Sequence, residues 1–346
     1  MVGNPLSTFA RTHARSTRSA RSAVALAVSA SLVLAGCSGS DEPSDEPDSQ
    51  NMAGGLTLSG QWPLTGLPAE GPAPKHPVMV VKIDNTSGSN PQVGLGKADL
   101  VTEELVEGGS TRLAVFYYSQ LPKNVGPVRS FRATDIGIVR PAEGILVASG
   151  GAGPTVARVK KAGIKTFTEG AAGYSRDDGR SAPYNLFMDL TKLAEKLKTP
   201  QPPENYFPWG DAADFPAGQP ATGVEATFSA GRTTSWKFRG GKYVNVNSEA
   251  PKNDQFKPDT VLVLRVKVGD AGYKDPAGNP VPETKFTGQG QAMVFHDGKM
   301  VRATWVKRGL GAPVQFKTKA GELTLPPGQV WMELVPTKGG RVQTSN

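Results

Sequence analysis

The feature that most constrains this chain is its single cysteine, Cys37, which closes an apolar leader. With one thiol in 346 residues, no intrachain disulfide can form and no metal site can be built from cysteines. Whatever follows must be held by an apolar core and by polar pairing alone. The leader carries Arg11, Arg15, Arg18 and Arg21 without an acid, then the apolar run AVALAVSASLVLA. That run is too short to span a bilayer comfortably, and residues 1–36 read as a signal peptide.

The leader ends on Leu34-Ala35-Gly36-Cys37, which resembles a bacterial lipobox. The expectation is an exported protein on the outer face of the cell membrane, anchored through lipidated (palmitate-bearing) Cys37. Residues 37–61 then form a tether. Their SGSDEPSDEPDSQNMAGG is too poor in apolar side chains to bury itself. The 39 basic and 31 acidic residues overstate the charge of the exported form; removing the four leader arginines leaves 35 against 31, a net +4. An exported chain with so mild an excess is not expected to bind nucleic acid. An anionic envelope polymer or an envelope protein is the partner expected.

The body divides at QPPENYFPWGDAADFPAGQPATG, a Pro- and Gly-rich break at 201–223. Residues 62–200 read as an N-terminal α/β domain, 224–338 as an all-β domain, and 339–346 as a tail; the fold class expected is α+β. In the first part, HPVMVVKIDN is a strand, and EGILVASGGAGPTVARVKKAGIKTFTE is strand, Gly-rich loop, helix and strand. ADLVTEELVEGGSTRLAVFYYS has two readings. As a helix it puts Glu103 and Glu107 roughly 6 Å apart. As a hairpin turning at Gly108-Gly109 it puts them roughly 13 Å apart, with Leu105 opposite Arg112. The β-branched residues favour the hairpin. In the second part, Arg239-Gly240-Gly241 and Asp297-Gly298 are turn signals between alternating runs. GELTLPPGQVWMELVP reads as a further strand pair.

The motif most suggestive of chemistry is VGPVRSFRATD. With Ser130 capping a helix from Phe131 to about Val139, Arg132 falls in the first turn and Arg129 just before it. Helix N-termini favour anions, and guanidinium groups suit phosphate or carboxylate. Arg112, Arg129 and Arg132, with Asn85, are therefore expected to line a polar cleft for an anionic ligand. The bland alternative is that Glu103, Glu107 or Asp135 neutralises them internally. Asp84, Asp99 and Glu103 are candidate ligands for Mg²⁺ in a rival reading, a metal-assisted enzyme acting on phosphorylated envelope polymers. No cofactor is expected otherwise, and no nucleophile elbow or paired histidine motif argues for catalysis. A passive structural lipoprotein is the third reading.

These motifs together resemble the YerB-like lipoproteins, a bacterial family without an assigned activity. The resemblance runs from about Pro63 to Pro336 through PLTGLP, VKIDN, NPQVGLGKADLVTEELVEGGSTRLAVFY, NVGPVRSFR, APYNLF, GQGQAMVFHDGKMVRATW and LPPGQVWMELVP. It implies a two-part body on a lipid anchor. It adds Asn185 of APYNLF to the candidate ligand residues. This chain has Tyr184 where family members commonly carry histidine, so a mechanism using that imidazole as base does not transfer. The arginine-to-aspartate spacing of Arg132 and Asp135 also bears a partial likeness to LytR-type enzymes, which attach glycopolymers to the wall.

Overall fold

The computed structural model describes residues 58, 60–198, 201–275 and 278–346. The expected signal peptide, Cys37 and nearly all of the expected tether lie outside the described residues.

The N-terminal half contributes β1 (Met79–Asp84), β2 (Leu100–Leu105), β3 (Thr111–Tyr117), β4 (Ile145–Val147) and β5 (Thr166–Phe167) to a central sheet. The short helices α1 (Asp135–Val139), α2 (Gly153–Lys161) and α3 (Leu190–Ala194) accompany them, with a small hairpin of β6 (Tyr174–Arg176) and β7 (Leu186–Met188). The second half adds β8 (Gln219–Pro220), β9 (Gly223–Ser229), β10 (Arg232–Arg239), β11 (Lys242–Asn245), β12 (Thr260–Lys274) and β13 (Pro280–Lys285). It ends with β14 (Gly288–His296), β15 (Lys299–Lys307), β16 (Gln315–Thr318), β17 (Gly321–Leu323), β18 (Val330–Pro336) and β19 (Arg341–Ser345).

Strands of both halves share one 13-stranded sheet, whose main path runs β17-β16-β15-β14-β12-β18-β2-β3-β1-β4-β5. The join is β18. It lies parallel between β12 on one side and β2 on the other, pairing Glu333 with Val263 and with Glu103. All seven of its residues are buried, as expected of a parallel strand covered on both faces. Burial of Trp331, Met332, Leu334 and Val335 contributes about 1.5–3 kcal/mol each. A second sheet, β11-β10-β9-β19, covers one face of the first. Its Val224, Ala226, Phe228, Trp236 and Tyr243 pack with Val261, Val263, Met293 and Trp331. The opposite face buries Val80, Ala114, Phe116, Leu262, Leu264 and Trp305.

The fold is thus largely β. The expected N-terminal α/β domain reduces to one crossover, β4-α2-β5, whose strands pair parallel. The hairpin at 98–119 is present, but its register differs by one residue: Arg112 stands opposite Glu104 rather than Leu105. Gly108 and Gly109, with φ of 68° and 72°, lie in a wider, five-residue turn between Leu105 and Thr111 that takes Glu107 out of the strand. The helix expected from Phe131 begins only at Asp135, so Arg132 lies before it and Ser130 is not its cap. Gly321–Leu323 and Val330–Pro336 do not pair with each other; they join β16 and β12/β2 respectively. The tail forms β19, which closes the edge of β9. Within 201–223, Tyr206 and Phe207 are buried in the core. The turns at Gly240-Gly241 and Asp297-Gly298 join β10 to β11 and β14 to β15, as the sequence predicts.

Candidate functional site

Charged residues in mid-strand put two polar centres on opposite faces of β1-β3-β2-β18. Alternation along the strands sorts them: Lys82, Asp84, Glu104 and Arg112 face one way, Glu103 and Glu333 the other.

On the first face, Lys82 Nζ lies 2.6 Å from Glu104 Oε1 and 2.8 Å from Asp135 Oδ1, all three side chains without solvent exposure. Burial and the neighbouring Asp135 charge push the Glu104 carboxyl up to about 7, against the opposing pull of Lys82. Beside them, Glu107 takes a guanidinium from each side. Arg132 donates through Nε at 2.8 Å and also through Nη2. Arg112 donates Nη2 to Glu107 Oε1 at 3.3 Å and Nη1 to Ser130 O at 2.9 Å. Burial alone would raise the Glu107 carboxyl; the Arg132 hydrogen bond and the charges of both arginines outweigh it and hold it below the usual range. Burial and the charge of Arg132 depress Arg112 to about 10. Asp135 also caps the turn, accepting the Arg132 amide at 2.6 Å.

Arg129 is placed differently. Its Nη1 lies 3.3 Å from Asp84 Oδ2, its guanidinium stacks on the Tyr184 ring at 5.3 Å, and 19% of its side chain is exposed. Tyr184 in turn packs against Gly88, where no Cβ would fit. Both residues border a cavity of about 570 Å³ lined also by Asn90, Asp177, Arg180 and Phe187.

On the second face, Glu103 is the common acceptor of residues far apart in sequence. Its Oε1 receives Asn85 Nδ2 at 2.9 Å, Thr111 Oγ1 at 2.6 Å and Arg232 Nε at 3.1 Å. Thr234 Oγ1 reaches its Oε2 at 2.9 Å. Glu333 lies alongside and accepts Trp236 Nε1 at 2.8 Å. Burial, then the charge of Glu103, raises the Glu333 carboxyl well above the usual range.

The predicted cleft is therefore corrected. The structure does bring Arg112, Arg129 and Arg132 together, but around Glu107 and Asp84. Only 8% of the Arg112 side chain and 9% of Arg132 are exposed. Asn85 is buried and spends its amide on Glu103, Thr111 and Gln92. Asn185 sits elsewhere, accepting from Arg176 at 2.7 Å. The Mg²⁺ candidates do not fit a metal. Asp84 pairs with Arg129, Glu103 with Arg232, and Asp99 accepts the Tyr118 and Ser119 amides. Among the described residues no group of three or more His, Cys, Asp or Glu is placed to hold an ion. Lys82, Arg232, Thr234 and Glu333 were not legible as a centre. A charged residue inside an otherwise apolar strand, as in VVKID and VWMELV, is the local signal they offer.

Residues 64–202 match the family model described as "Protein of unknown function (DUF3048) N-terminal domain", and residues 224–332 match its C-terminal counterpart. The chain is 26% identical over 292 residues to "Putative lipoprotein YerB" of Bacillus subtilis (strain 168), covering 79% of this chain and 86% of that protein. It also superposes on the crystal structure of YerB from Bacillus subtilis with a TM-score of 0.68. That match covers 82% of this chain and 99% of the other at 20% identity, a likeness of fold. Both halves being matched in order, the chain belongs to the YerB-like DUF3048 family.

Proposed function

We propose that this protein is an exported lipoprotein of the cell envelope, attached to the outer face of the membrane through lipidated Cys37, whose body works by binding rather than catalysis. The leader ending Leu34-Ala35-Gly36-Cys37 and the name carried by the Bacillus subtilis relative support the anchor. Among the described residues no helix is long and apolar enough to cross a membrane, in keeping with attachment through lipid. The observation that carries the binding reading is the pairing of the interior: Lys82 with Glu104 and Asp135, Glu107 with Arg112 and Arg132, Glu103 with Arg232. Groups able to act as acids, bases or anion clamps are spent on one another, so contact with a partner falls to the outer surface.

The same pairing favours a second reading for the arginine cluster itself, that it is purely structural. Metabolic labelling with a palmitate analogue, followed by membrane fractionation, tests the anchor. The wild-type chain takes up label and stays with membranes, while Cys37→Ser does neither. Label or membrane retention persisting in Cys37→Ser contradicts it. Mass spectrometry of what co-purifies with the exported protein tests the binding part.

A further inference from the structure

Beyond the edge of the covering sheet, the main sheet leaves one face bare. The register fixes which side chains occupy it. Lys267 of β12 stands opposite Lys285 of β13, Met293 of β14 opposite Arg302 of β15, and Gln291, Thr304 and Lys317 form one row across β14, β15 and β16. With Arg265 two residues before Lys267, five basic side chains, carried by β12, β13, β15 and β16, share this face; β12 to β16 is four adjacent strands, about 14 Å across. Glu322, opposite Lys317, is the acid that the register adds at the far edge.

The face is hollowed where β12 leaves β14 to pair with β13. The resulting cavity, about 620 Å³, is lined by Arg265, Lys267, Lys285, Gln289, Gln291 and Trp305, and no carboxylate lines it. Its floor is fixed by Trp305, which donates Nε1 to Arg265 O at 3.0 Å. The chain passes so closely there that a Cβ on Gly290 would stand 2.6 Å from both groups. This gives the GQGQ segment a physical role: Gly290 lets the strand approach while Gln289 and Gln291 present exposed amides.

The charges here are not neutralised from within. Lysines directly opposite on paired strands repel. Lys285 is offset by Glu283, 3.0 Å away, but Lys267, Arg265, Arg302 and Lys317 take part in none of the ion pairs among the described residues. This contrasts with the interior, where each guanidinium of the predicted cleft meets a carboxylate.

We propose that this cleft binds a phosphate-bearing polyanionic chain of the envelope. The inference rests on the binding reading above. Spaced cations over about 14 Å suit a run of phosphates better than a single small anion, and a concave floor suits a chain better than a flat bilayer. The amides and the hydroxyls of Thr287 and Thr337 add donors for phosphate or sugar oxygens.

Inorganic polyphosphate is the probe, titrated into the full-length chain in detergent at several salt concentrations. The parent protein binds it at low salt and loses affinity as salt rises. Lys267→Gln/Arg302→Gln/Lys317→Gln, all at exposed positions, weakens binding at least tenfold and makes the log–log salt dependence shallower by about 2. Lys160→Gln/Lys161→Gln/Lys165→Gln, equal in charge change on another exposed surface, leaves binding unchanged. No binding by the parent, or equal weakening by both variants, overturns the proposal. Binding to phosphatidylglycerol vesicles without binding to polyphosphate also overturns it, in favour of a bilayer contact. Each of these failures leaves the Cys37 labelling result untouched.

Discussion

Glu103 and Glu333 stand opposite each other in the parallel register of β2 and β18, both without solvent exposure, one from each half of the chain. Two carboxyls so placed cannot both be ionised. Glu103 collects four donors, including Arg232, whereas Glu333 has Trp236 and a carboxyl raised well above the usual range by burial and by the charge of Glu103. The two residues therefore respond differently to the same change. Glu103→Gln leaves Arg232, with only 11% of its side chain exposed, without a counter-charge and is expected to cost about 3 kcal/mol. Glu333→Gln replaces a protonated carboxyl by an amide of equal shape and is expected to fall within about 1 kcal/mol of the parent at pH 7. Urea denaturation of both variants checks the contrast.

Glu104 gives a pH dependence of definite sign. Burial raises its carboxyl from 4.5 to about 7, so between these values the folded state holds more protons than the unfolded state. The contribution is full below about pH 4.5 and is lost as pH rises through about 7. Glu333 acts in the same direction. Glu104→Gln is expected to flatten the stability curve across that window by about 3 kcal/mol, measured by denaturant unfolding at successive pH values.

The arginine cluster separates by burial. Glu107→Gln removes the counter-charge of both Arg112 and Arg132 and is expected to cost about 3–5 kcal/mol. Arg129→Ala gives up a partly exposed pair with Asp84 and the stacking on Tyr184, expected to cost about 1 kcal/mol. Thermal unfolding of the two variants side by side measures the difference.

What the sequence reveals here is mostly local. Gly108-Gly109, Gly240-Gly241 and Asp297-Gly298 are turns because the backbone needs left-handed conformations there, and composition signals that directly. The one-residue register difference at the first hairpin follows from the extra turn at Glu107, and it decides that Glu104 rather than Glu103 shares a face with Arg112. The placement of β18 beside β2 is not local at all. More than 220 residues separate the partners, and parallel pairing leaves no turn to announce it. For the same reason Arg232 and Glu333 could not be joined to Glu103 from the sequence, whereas Glu107, one of the three acids the sequence offers to neutralise the arginines of VGPVRSFR, is the one that pairs with Arg112 and Arg132.

Native-state hydrogen exchange in increasing urea tests the central claim most directly, that β18 and the Glu103 centre fuse the two halves into one cooperative sheet. Amides of β1, β2 and β3 are predicted to merge into the same unfolding isotherm as those of β12, β14 and β18. Exchange of β1 to β3 at a distinctly lower urea concentration, with β12 and β18 still protected, would contradict it.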